Sequence, residues 1–333
     1  NINGAQIGGR RNIIINGAMN IAQRGTSSSS SGNTQQTVDR FYVDVGGADE
    51  QPTQAQVDVA SGTTPYTLGF RKSYKITNGN QTGGAGGTDY IAYIMKLEAQ
   101  DIANSGWNYT DPNSFITLSF WIKSSVAQAF SGSLRSVDGS VYHYKYDTPS
   151  LSADTWTKVV KTIPGNANLT FDSNNAHGFT FSLQAFIGTT YTSSNSDTET
   201  WLPYSSTRFA NNMTSTWYTT NDATLELTGV QLEVGSQATS FEHRSYGDEL
   251  ALCQRYYQGA NTVGAGYGSA NGYARAGCVY SVVMRSTPTL TATNTGSGSI
   301  IAADSSSTGF YVTYGSLSGT SAGIFNYVAD AEL

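Results

Sequence analysis

Short runs in which apolar and polar side chains alternate recur along this chain, and that period of two limits its fold more than any other feature. In residues 115–123, every second side chain from Ile116 to Ile122 is a large aliphatic or aromatic one. The same alternation appears in residues 41–45 and 179–187. Successive side chains of a β-strand point to opposite faces of the sheet, so such runs predict strands with one buried face. The sequence therefore predicts an all-β protein.

The composition favours the same fold class. Lys, Arg, Asp and Glu together make up only 13% of the 333 residues, and 36 residues are glycine. Ser, Thr and Asn are abundant instead, and these residue types favour turns and strands over helix interiors. The length suffices for one large β domain with an appendage, or for two domains.

Two segments depart from the strand pattern. Residues 91–103 place apolar side chains at helical spacing, and residues 248–258 run from a candidate N-cap, Asp248, to a glycine stop signal. After the second segment the chain is dense in Gly, Ser and Tyr. We therefore predict four regions, namely an N-terminal arm with a Ser-rich loop (1–36), a β-sandwich (37–245), a connecting helix (246–258) and a small C-terminal β tip domain (259–333).

Two local signals predict the geometry of particular strands. Asp138-Gly139 is the dipeptide of a two-residue type I′ turn, and it lies between two strand-like runs, so it predicts a hairpin. Gly229 lies where the apolar alternation of residues 225–234 changes parity. A β-bulge at this glycine would keep the apolar side chains on one face.

Charge and hydropathy argue against two classes of partner. The net charge is −6 and the pI is about 5.0, whereas nucleic-acid binding needs clustered Lys and Arg. The longest apolar stretches are far shorter than the roughly 20 residues needed to span a bilayer, and we expect no signal peptide. Two cysteines, Cys253 and Cys278, are too few for a disulfide framework. We therefore predict no nucleic-acid partner and no membrane insertion.

No residue pattern predicts an enzyme or a cofactor site. The histidines and cysteines lack the spacing of zinc ligands, so the one metal we consider is a structural Ca²⁺. Asp172 with its neighbouring Ser and Asn residues, or Asp111 with Asn113, offers oxygen ligands for that ion. A glycosidase needs two carboxylates, and the loop candidates are Asp44, Asp49, Asp138, Asp197 and Glu199. The alternative is that these carboxylates are solvated or cap turns.

Aromatic residues beside uncharged hydrogen-bonding residues are the strongest candidates for a binding surface. A sugar presents apolar C–H faces and a rim of hydroxyl groups, which flat rings beside amides and hydroxyls suit. The alternative is that the rings lie in the core or in a subunit interface. The candidate glycan-binding residues are Trp107, Tyr109, Tyr142, Tyr144, Trp201, Tyr204, Trp217, Tyr267 and Tyr273.

Separated blocks of the sequence resemble bacteriophage tail fibre and receptor-binding proteins. Residues 11–19 (RNIIINGAM) resemble a stretch common in these proteins, as do residues 227–235 (LTGVQLEVG), 249–250 (EL) and 253–257 (CQRYY). Residues 118–123 (LSFWIK) resemble the central strand of the carbohydrate-binding-module-like jelly roll of such fibres. Residues 284–289 (MRSTPT) resemble the family's C-terminal tip region.

The resemblance implies a fold and a biological setting. The fold is a jelly-roll-like β-sandwich followed by a short helix and a small C-terminal β tip domain. The setting is a virion tail fibre, usually a homotrimer, that is assembled in the host cytoplasm and contacts other tail proteins through its N-terminal end. Its partner is host cell-surface polysaccharide or lipopolysaccharide. The family supplies no catalytic residues, and Gln231, Glu233 and Arg255 in the shared blocks are framework residues that hold strands and helix together.

Three functions remain open at this point. We predict a non-catalytic virion fibre protein that binds host-surface glycan. The alternatives are a polysaccharide depolymerase that uses two loop carboxylates, and a purely structural capsid fibre or decoration protein. A homotrimer is also expected because the Gly-rich C-terminal region (259–333) would form only a small hydrophobic core by itself.

Overall fold

The computed structural model describes residues 11–333 except 30, 31, 33, 193–196, 268–271, 297–298 and 318–321, with the backbone alone at 260–267, 272–274, 316–317 and 322–323. The chain forms two compact units. The larger unit extends to Arg244 and includes Leu333, and the smaller unit is Ser245–Glu332.

The larger unit consists mainly of strands. Its described strands are β1 (Ser27–Ser28), β2 (Phe41–Gly46), β3 (Thr53–Asp58), β4 (Lys72–Thr77), β5 (Tyr90–Glu98), β6 (Phe115–Ser124), β7 (Ser131–Ser136), β8 (Tyr142–Asp147), β9 (Thr157–Pro164), β10 (His177–Ile187), β11 (Trp201–Pro203) and β12 (Thr224–Val234). Its described helices are α1 (Thr64–Thr67), α2 (Ala99–Ala103) and α3 (Thr216–Thr219), with one turn of 3-10 helix at Thr189–Tyr191.

These strands form two antiparallel sheets, each with six strands among the described residues. Sheet A has the order β1-β3-β4-β12-β6-β9, and sheet B has the order β11-β8-β7-β10-β5-β2. The core lies between the sheets, where the ring centroids of Phe120 in sheet A and Phe181 in sheet B are 6.0 Å apart. The hydroxyl of Tyr93 in sheet B donates to the carbonyl of Tyr74 in sheet A at 2.8 Å. The predicted all-β, jelly-roll-like sandwich is therefore confirmed.

The predicted bulge and the predicted strand at residues 115–123 are both confirmed. Strand β6 covers those residues, and its side chains from Ile116 to Ile122 on the core face are fully buried. The register between β12 and β6 shifts at the predicted glycine, which has a φ of 65°. A Cβ atom at Gly229 would lie 2.7 Å from the Phe70 ring, so the bulge position requires glycine for space as well as conformation.

The predicted helix at residues 91–103 is wrong over most of its length. Residues Tyr90–Glu98 form β5, and only Ala99–Ala103 form a helix. Strand β5 is apolar on both faces, because Tyr93 contacts sheet A whereas Ile94 lies on the opposite face of sheet B. Apolar residues on both faces reproduce the spacing of a helix without forming one.

The predicted hairpin is present, but its loop is longer than two residues. Strands β7 and β8 pair antiparallel, and Arg135 is opposite His143. The backbone N–H of Tyr142 donates to the Ser136 hydroxyl at 3.1 Å, which closes a loop of residues 137–141. Gly139 has a φ of 61° within this wider loop.

Residues 12–21 lie against β12 of sheet A and are largely buried. The Ile13 N–H donates to the Leu232 carbonyl at 2.9 Å, and the Val230 N–H donates to the Gly17 carbonyl at 2.9 Å. The Asn12 amide oxygen accepts the Leu232 N–H at 3.0 Å. The first two blocks that carry the family resemblance, residues 11–19 and 227–235, therefore pack against each other.

Glu242 extends this framework. Its carboxylate accepts the backbone N–H groups of Arg11 at 3.0 Å and Asn12 at 2.9 Å, and it pairs with the Arg244 guanidinium at 2.9 Å. Gln231 in turn accepts the Glu242 N–H at 2.8 Å, so β12, the N-terminal segment and residues 242–244 form one network.

Replacing Glu242 with glutamine is expected to destabilise the protein by about 1 to 3 kcal/mol at neutral pH, because a charged acceptor of several hydrogen bonds is lost. Burial alone would raise the pKa of this carboxyl, but the N–H groups of Asn12 and Arg11 and the Arg244 guanidinium hold the pKa below its ordinary value. A lowered pKa stabilises the folded state above the unfolded-state pKa, and this stabilisation is lost as pH falls through the folded-state pKa.

Urea unfolding at a series of pH values measures this effect. The wild-type protein should lose stability more steeply in acid than Glu242→Gln does. Glu50→Gln is the matched control, since Glu50 is exposed and accepts one backbone N–H, from Asn80 at 2.7 Å. Parallel stability curves for wild type and Glu242→Gln would contradict the prediction.

The smaller unit begins with a helix and continues in strands. The helix is α4 (Tyr246–Gln254), and the strands are β13 (Tyr257–Tyr267), β14 (Gly272–Val279), β15 (Thr289–Asn294), β16 (Ser299–Ser305), β17 (Gly309–Leu317) and β18 (Ala322–Asp330). They form two three-stranded sheets in the orders β13-β18-β15 and β14-β17-β16. Val312, Tyr314 and Phe325 are fully buried in the core of this unit.

Helix α4 is shorter than the predicted helix at residues 246–258. Ser245 caps it in place of Asp248, because the Ser245 hydroxyl accepts the Asp248 N–H at 3.2 Å. The helix ends before Tyr257, where β13 begins.

The expectations about disulfide bonds and about membrane-spanning helices can be compared with the described residues only. Cys253 in α4 is buried, Cys278 in β14 is half-buried, and the two form no disulfide in this part of the chain. None of the helices that the structure describes has both the length and the apolar composition needed to cross a bilayer.

Candidate functional site

A cleft of about 260 Å³ opens on the face of sheet B that points away from the core. Strand alternation directs every second side chain of β2, β5, β7 and β10 to this face. The strand residues that line the cleft include Tyr42, Asp44, Tyr90, Lys96, Arg135 and Gln184. Tyr191, Tyr204 and Phe209, which follow β10 in the chain, also line it.

The strand register separates the basic side chains of the cleft from its carboxylate. Arg135, Thr180 and Lys96 are neighbours across three adjacent strands. Gln184 and Asp44 lie on either side of β5, at a position four residues from Lys96 along that strand. At about 3.3 Å per residue, the two rows are about 13 Å apart. The cleft therefore has a basic end and an acidic end.

Aromatic rings stand beside these polar groups. Tyr191 meets Tyr90 edge to face at 5.8 Å, and Tyr204 meets Phe209 in the same geometry at 6.3 Å. The Arg135 guanidinium lies 5.2 Å from the centroid of the Tyr204 ring. Tyr204 is 36% exposed, so its ring is accessible to a ligand.

Three polar atoms of side chains that line the cleft are buried without a hydrogen-bond partner among the described residues. They are Asp44 Oδ1, Arg135 Nε and Gln184 Nε2. Buried polar groups in folded proteins are nearly always hydrogen-bonded, and an exception calls for an explanation such as a bound ligand. One acceptor and two donors in one aromatic-lined cleft match a ligand that both donates and accepts hydrogen bonds.

The electrostatics of the cleft point the same way. Burial raises the pKa of the Asp44 carboxyl, although the Val45 backbone, Lys96 and Tyr90 partly offset that effect. Burial and the neighbouring Asp44 also raise the pKa of the Tyr42 hydroxyl, which therefore stays protonated. An ionised Asp44 is poorly solvated here and would be stabilised by a new hydrogen-bond donor.

No family model matches the chain, and no curated protein matches it. Solved structures that resemble it include the enzymatically active domain of tailspike protein 4 from bacteriophage CBA120. The TM-score is 0.35 and the identity 10%, over 67% of this chain and 21% of that one. This chain therefore spans about a fifth of the length of that tailspike domain.

Two further solved structures resemble a similar share of this chain. The N-terminal cellulose-binding domain of β-1,4-glucanase C from Cellulomonas fimi has a TM-score of 0.27 and 10% identity, over 66% of this chain and 99% of that one. A family 11 carbohydrate-binding module from Clostridium thermocellum has a TM-score of 0.26 and 12% identity, over 61% and 91%. All three scores are below 0.5, and they carry no information about what this cleft binds.

One of the nine aromatic residues predicted from the sequence lines the cleft, and it is Tyr204. Tyr109 and Tyr142 are half-buried elsewhere on the larger unit. The side chains of Tyr267 and Tyr273 lie outside the part of the chain that the structure describes.

The other four predicted rings are buried and cannot stack on a sugar. They are Trp107, Tyr144, Trp201 and Trp217, with exposed fractions of 5% or less. The rings of Tyr144 and Trp201 lie 5.4 Å apart, and the Trp201 indole N–H donates to the Pro164 carbonyl at 2.8 Å. The Trp217 indole N–H donates to the Thr224 carbonyl at 3.0 Å. These rings fill the core, which was the alternative interpretation of the sequence.

Most residues of the cleft could not be identified as binding residues from the sequence. Among the candidate carboxylates, only Asp44 lines it. No sequence motif marks Lys96, Arg135 or Gln184 as a binding residue. They are simply polar members of strand-like runs. The charged side chains at outward positions of adjacent strands were the one clue, and the strand order needed to use it is not visible in the sequence.

The remaining candidate carboxylates have partners within the fold. Glu199 pairs with Lys161 at 2.6 Å, and Asp49 accepts the Gly83 N–H at 2.6 Å. Asp138 accepts the Asp172 N–H at 3.0 Å. Such contacts are typical of carboxylates in turns and on surfaces.

The structural Ca²⁺ stays a prediction. Asp111 accepts the Asn113 N–H at 2.9 Å in a local turn, which leaves part of its carboxylate for other ligands. In the described part of the chain, no three His, Cys, Asp or Glu side chains come together as a metal site would require.

Proposed function

We propose that the larger unit binds a host cell-surface glycan in the cleft of sheet B, without chemical change to the sugar. The observation that carries this proposal is the convergence of three unpartnered buried polar atoms with exposed aromatic edges in one cleft. Sugar hydroxyls both donate and accept hydrogen bonds, so one hydroxyl can donate to Asp44 while another accepts from Gln184.

The aromatic residues supply the other half of sugar recognition. The C–H face of a pyranose ring is apolar and flat, and it packs on aromatic rings that lose little entropy on binding. Tyr204 offers such a ring at the rim of the cleft, next to the Arg135 guanidinium. A cleft built for a fully apolar ligand would gain nothing from the buried Asp44 carboxylate and Gln184 amide.

The absence of chemistry is part of the proposal. Glycoside hydrolysis by acid–base catalysis uses two carboxyl groups about 5 to 9.5 Å apart. Among the described residues that line the cleft, Asp44 is the one carboxylate. This supports binding over depolymerisation.

We further propose that the chain is a phage virion fibre or receptor-binding protein, a homotrimer assembled in the host cytoplasm and attached to other tail proteins through its N-terminal end. Its receptor would be host polysaccharide or lipopolysaccharide. The support is the resemblance of residues 11–19 and 227–235, two blocks that form one hydrogen-bonded framework.

Replacing Tyr204 with alanine is expected to weaken glycan binding about 3- to 10-fold, the loss typical of one aromatic contact. The measurement is binding of the purified chain to an array of bacterial capsular polysaccharides and lipopolysaccharides, followed by calorimetry on the strongest ligand. Tyr246→Ala is the matched control, since Tyr246 is 64% exposed and lies in the smaller unit.

Two results would contradict the proposal. Binding to no bacterial glycan would exclude the function, and equal affinities of wild type and Tyr204→Ala would exclude this site. Release of new reducing ends from a bound polysaccharide would show catalysis and favour the depolymerase.

A further inference from the structure

We propose that the glycan bound in the cleft carries an anionic group and that Arg135 is the residue that selects it. This inference rests on the proposed function and names the class of sugar. The candidate groups are the carboxylate of an acidic sugar or a phosphate substituent, which share the chemistry that a guanidinium recognises.

The first observation is that the Arg135 guanidinium has no anionic partner within the described residues. It is half-buried, its Nε is buried without a hydrogen-bond partner, and its contact is the Tyr204 ring at 5.2 Å. A guanidinium that is partly withdrawn from water without a counter-charge is unfavourable to the fold, and an anionic group of the ligand would relieve this cost.

Other arginines of the larger unit are paired. Arg244 pairs with Glu242 at 2.9 Å, and Arg208 pairs with Asp197 at 3.5 Å. Arg71 donates to two backbone carbonyls, those of Tyr66 at 2.8 Å and Phe70 at 3.0 Å. Arg135 therefore stands apart as a cation that faces the cleft without an internal acceptor.

The second observation is the charge at the basic end of the cleft. Lys96 is two strands away from Arg135 in the same row, with Thr180 between them. His143 lies opposite Arg135 on β8, and burial and the nearby Lys145 lower the pKa of its ring to about 4. His143 is thus uncharged at neutral pH and adds no positive charge beside Arg135.

The carboxylate of the cleft does not oppose an anion at this end. Asp44 is separated from Arg135 by about 13 Å along the strands and by three strand spacings, about 14 Å, across them. The electrostatic energy between two charges falls with distance, so over this separation Asp44 repels an anion beside Arg135 only weakly. The anionic group then lies by Arg135, and neutral hydroxyls of the same glycan lie by Asp44 and Gln184.

The experiment uses an array of bacterial capsular polysaccharides and lipopolysaccharides printed in three forms. These forms are native, carboxyl-reduced by carbodiimide and borohydride, and dephosphorylated with hydrofluoric acid. The full chain is expected to lose about tenfold or more of its affinity for one treated form, as expected for a lost charge-assisted hydrogen bond. Loss on carboxyl reduction assigns a carboxylate, and loss on dephosphorylation assigns a phosphate.

The variant Arg135→Gln should bind native and treated glycan alike, at the affinity of wild type for the treated form. Arg135→Lys should keep part of the preference, because the charge remains while the fork of donors is lost. Arg71→Gln is the matched control, an exposed arginine beside sheet A, and should behave as wild type.

Each outcome decides between the two proposals. Equal wild-type binding to all three forms overturns the anionic-sugar inference and leaves glycan binding intact. Binding to none of them overturns the proposed function itself. Wild-type binding that does not weaken as NaCl is raised also overturns the inference, and it requires no variant to fold.

Discussion

Replacing Asp44 with asparagine is expected to weaken glycan binding about tenfold and, at neutral pH, to raise the stability of the free protein. The loss of affinity follows because a hydrogen bond to a charged acceptor is stronger than one to a neutral amide by about 1 to 1.5 kcal/mol. The carboxylate has a buried oxygen without a partner among the described residues, which a sugar hydroxyl would satisfy.

The gain in stability follows from the pKa of Asp44. Burial raises this pKa above its ordinary value. A carboxyl whose folded-state pKa is above its unfolded-state pKa destabilises the fold when it is ionised, and the penalty shrinks as pH falls below the folded-state pKa and is gone below the unfolded-state pKa. Asparagine is uncharged at every pH and removes the penalty. Function and stability therefore oppose each other at this position, as is common at binding sites.

Calorimetric titration with the strongest array ligand and urea unfolding of the free protein measure the two effects. Asp154→Asn is the control, because Asp154 is exposed and its φ of 54° suits asparagine equally well. A variant Asp44→Asn that binds normally, or that unfolds at lower urea than wild type, would contradict the role given to Asp44.

Replacing Trp217 with alanine is expected to lower the free energy of unfolding of the larger unit by about 3 to 5 kcal/mol. The side chain is fully buried, and its indole N–H donates to the Thr224 carbonyl at 3.0 Å. Truncation leaves a large cavity and removes one of the two hydrogen bonds that the Thr224 carbonyl accepts, the other coming from the Ser125 N–H at 3.0 Å. Trp217→Phe keeps most of the ring volume and should cost less.

Urea unfolding followed by circular dichroism measures this loss. A destabilisation below about 1 kcal/mol would show that the site collapses or fills with water, contrary to its tight burial. Glycan affinity of the folded Trp217→Phe variant should match wild type, since the ring does not line the cleft.

The burial of the predicted rings also changes how a purely structural role should be tested. Alanine at Trp201 or Tyr144 would measure folding, because both rings lie in the core with exposures of 5% and 2%. A decoration protein without receptor binding is better tested at Tyr204, whose ring is partly exposed. Unchanged adsorption of phage that carries Tyr204→Ala and Arg135→Gln would favour the structural role.

Some elements could be predicted from the sequence because their cause is local. The alternation of β6 reports one buried face, and the parity change at Gly229 reports a bulge. The helix predicted at residues 91–103 failed because β5 buries apolar side chains on both faces. Local periodicity cannot distinguish a strand that is apolar on both faces from one side of a helix.

The period of two, by itself, determined that this chain is built from sheets and which side chains share a face. Only the tertiary structure decided which rings are covered and where a cleft forms. Asp44, Lys96, Arg135 and Gln184 come from four strands that are far apart in the chain, and strand order alone places them on one surface. Burial depends on what packs against a face, and residues distant in sequence supply that cover.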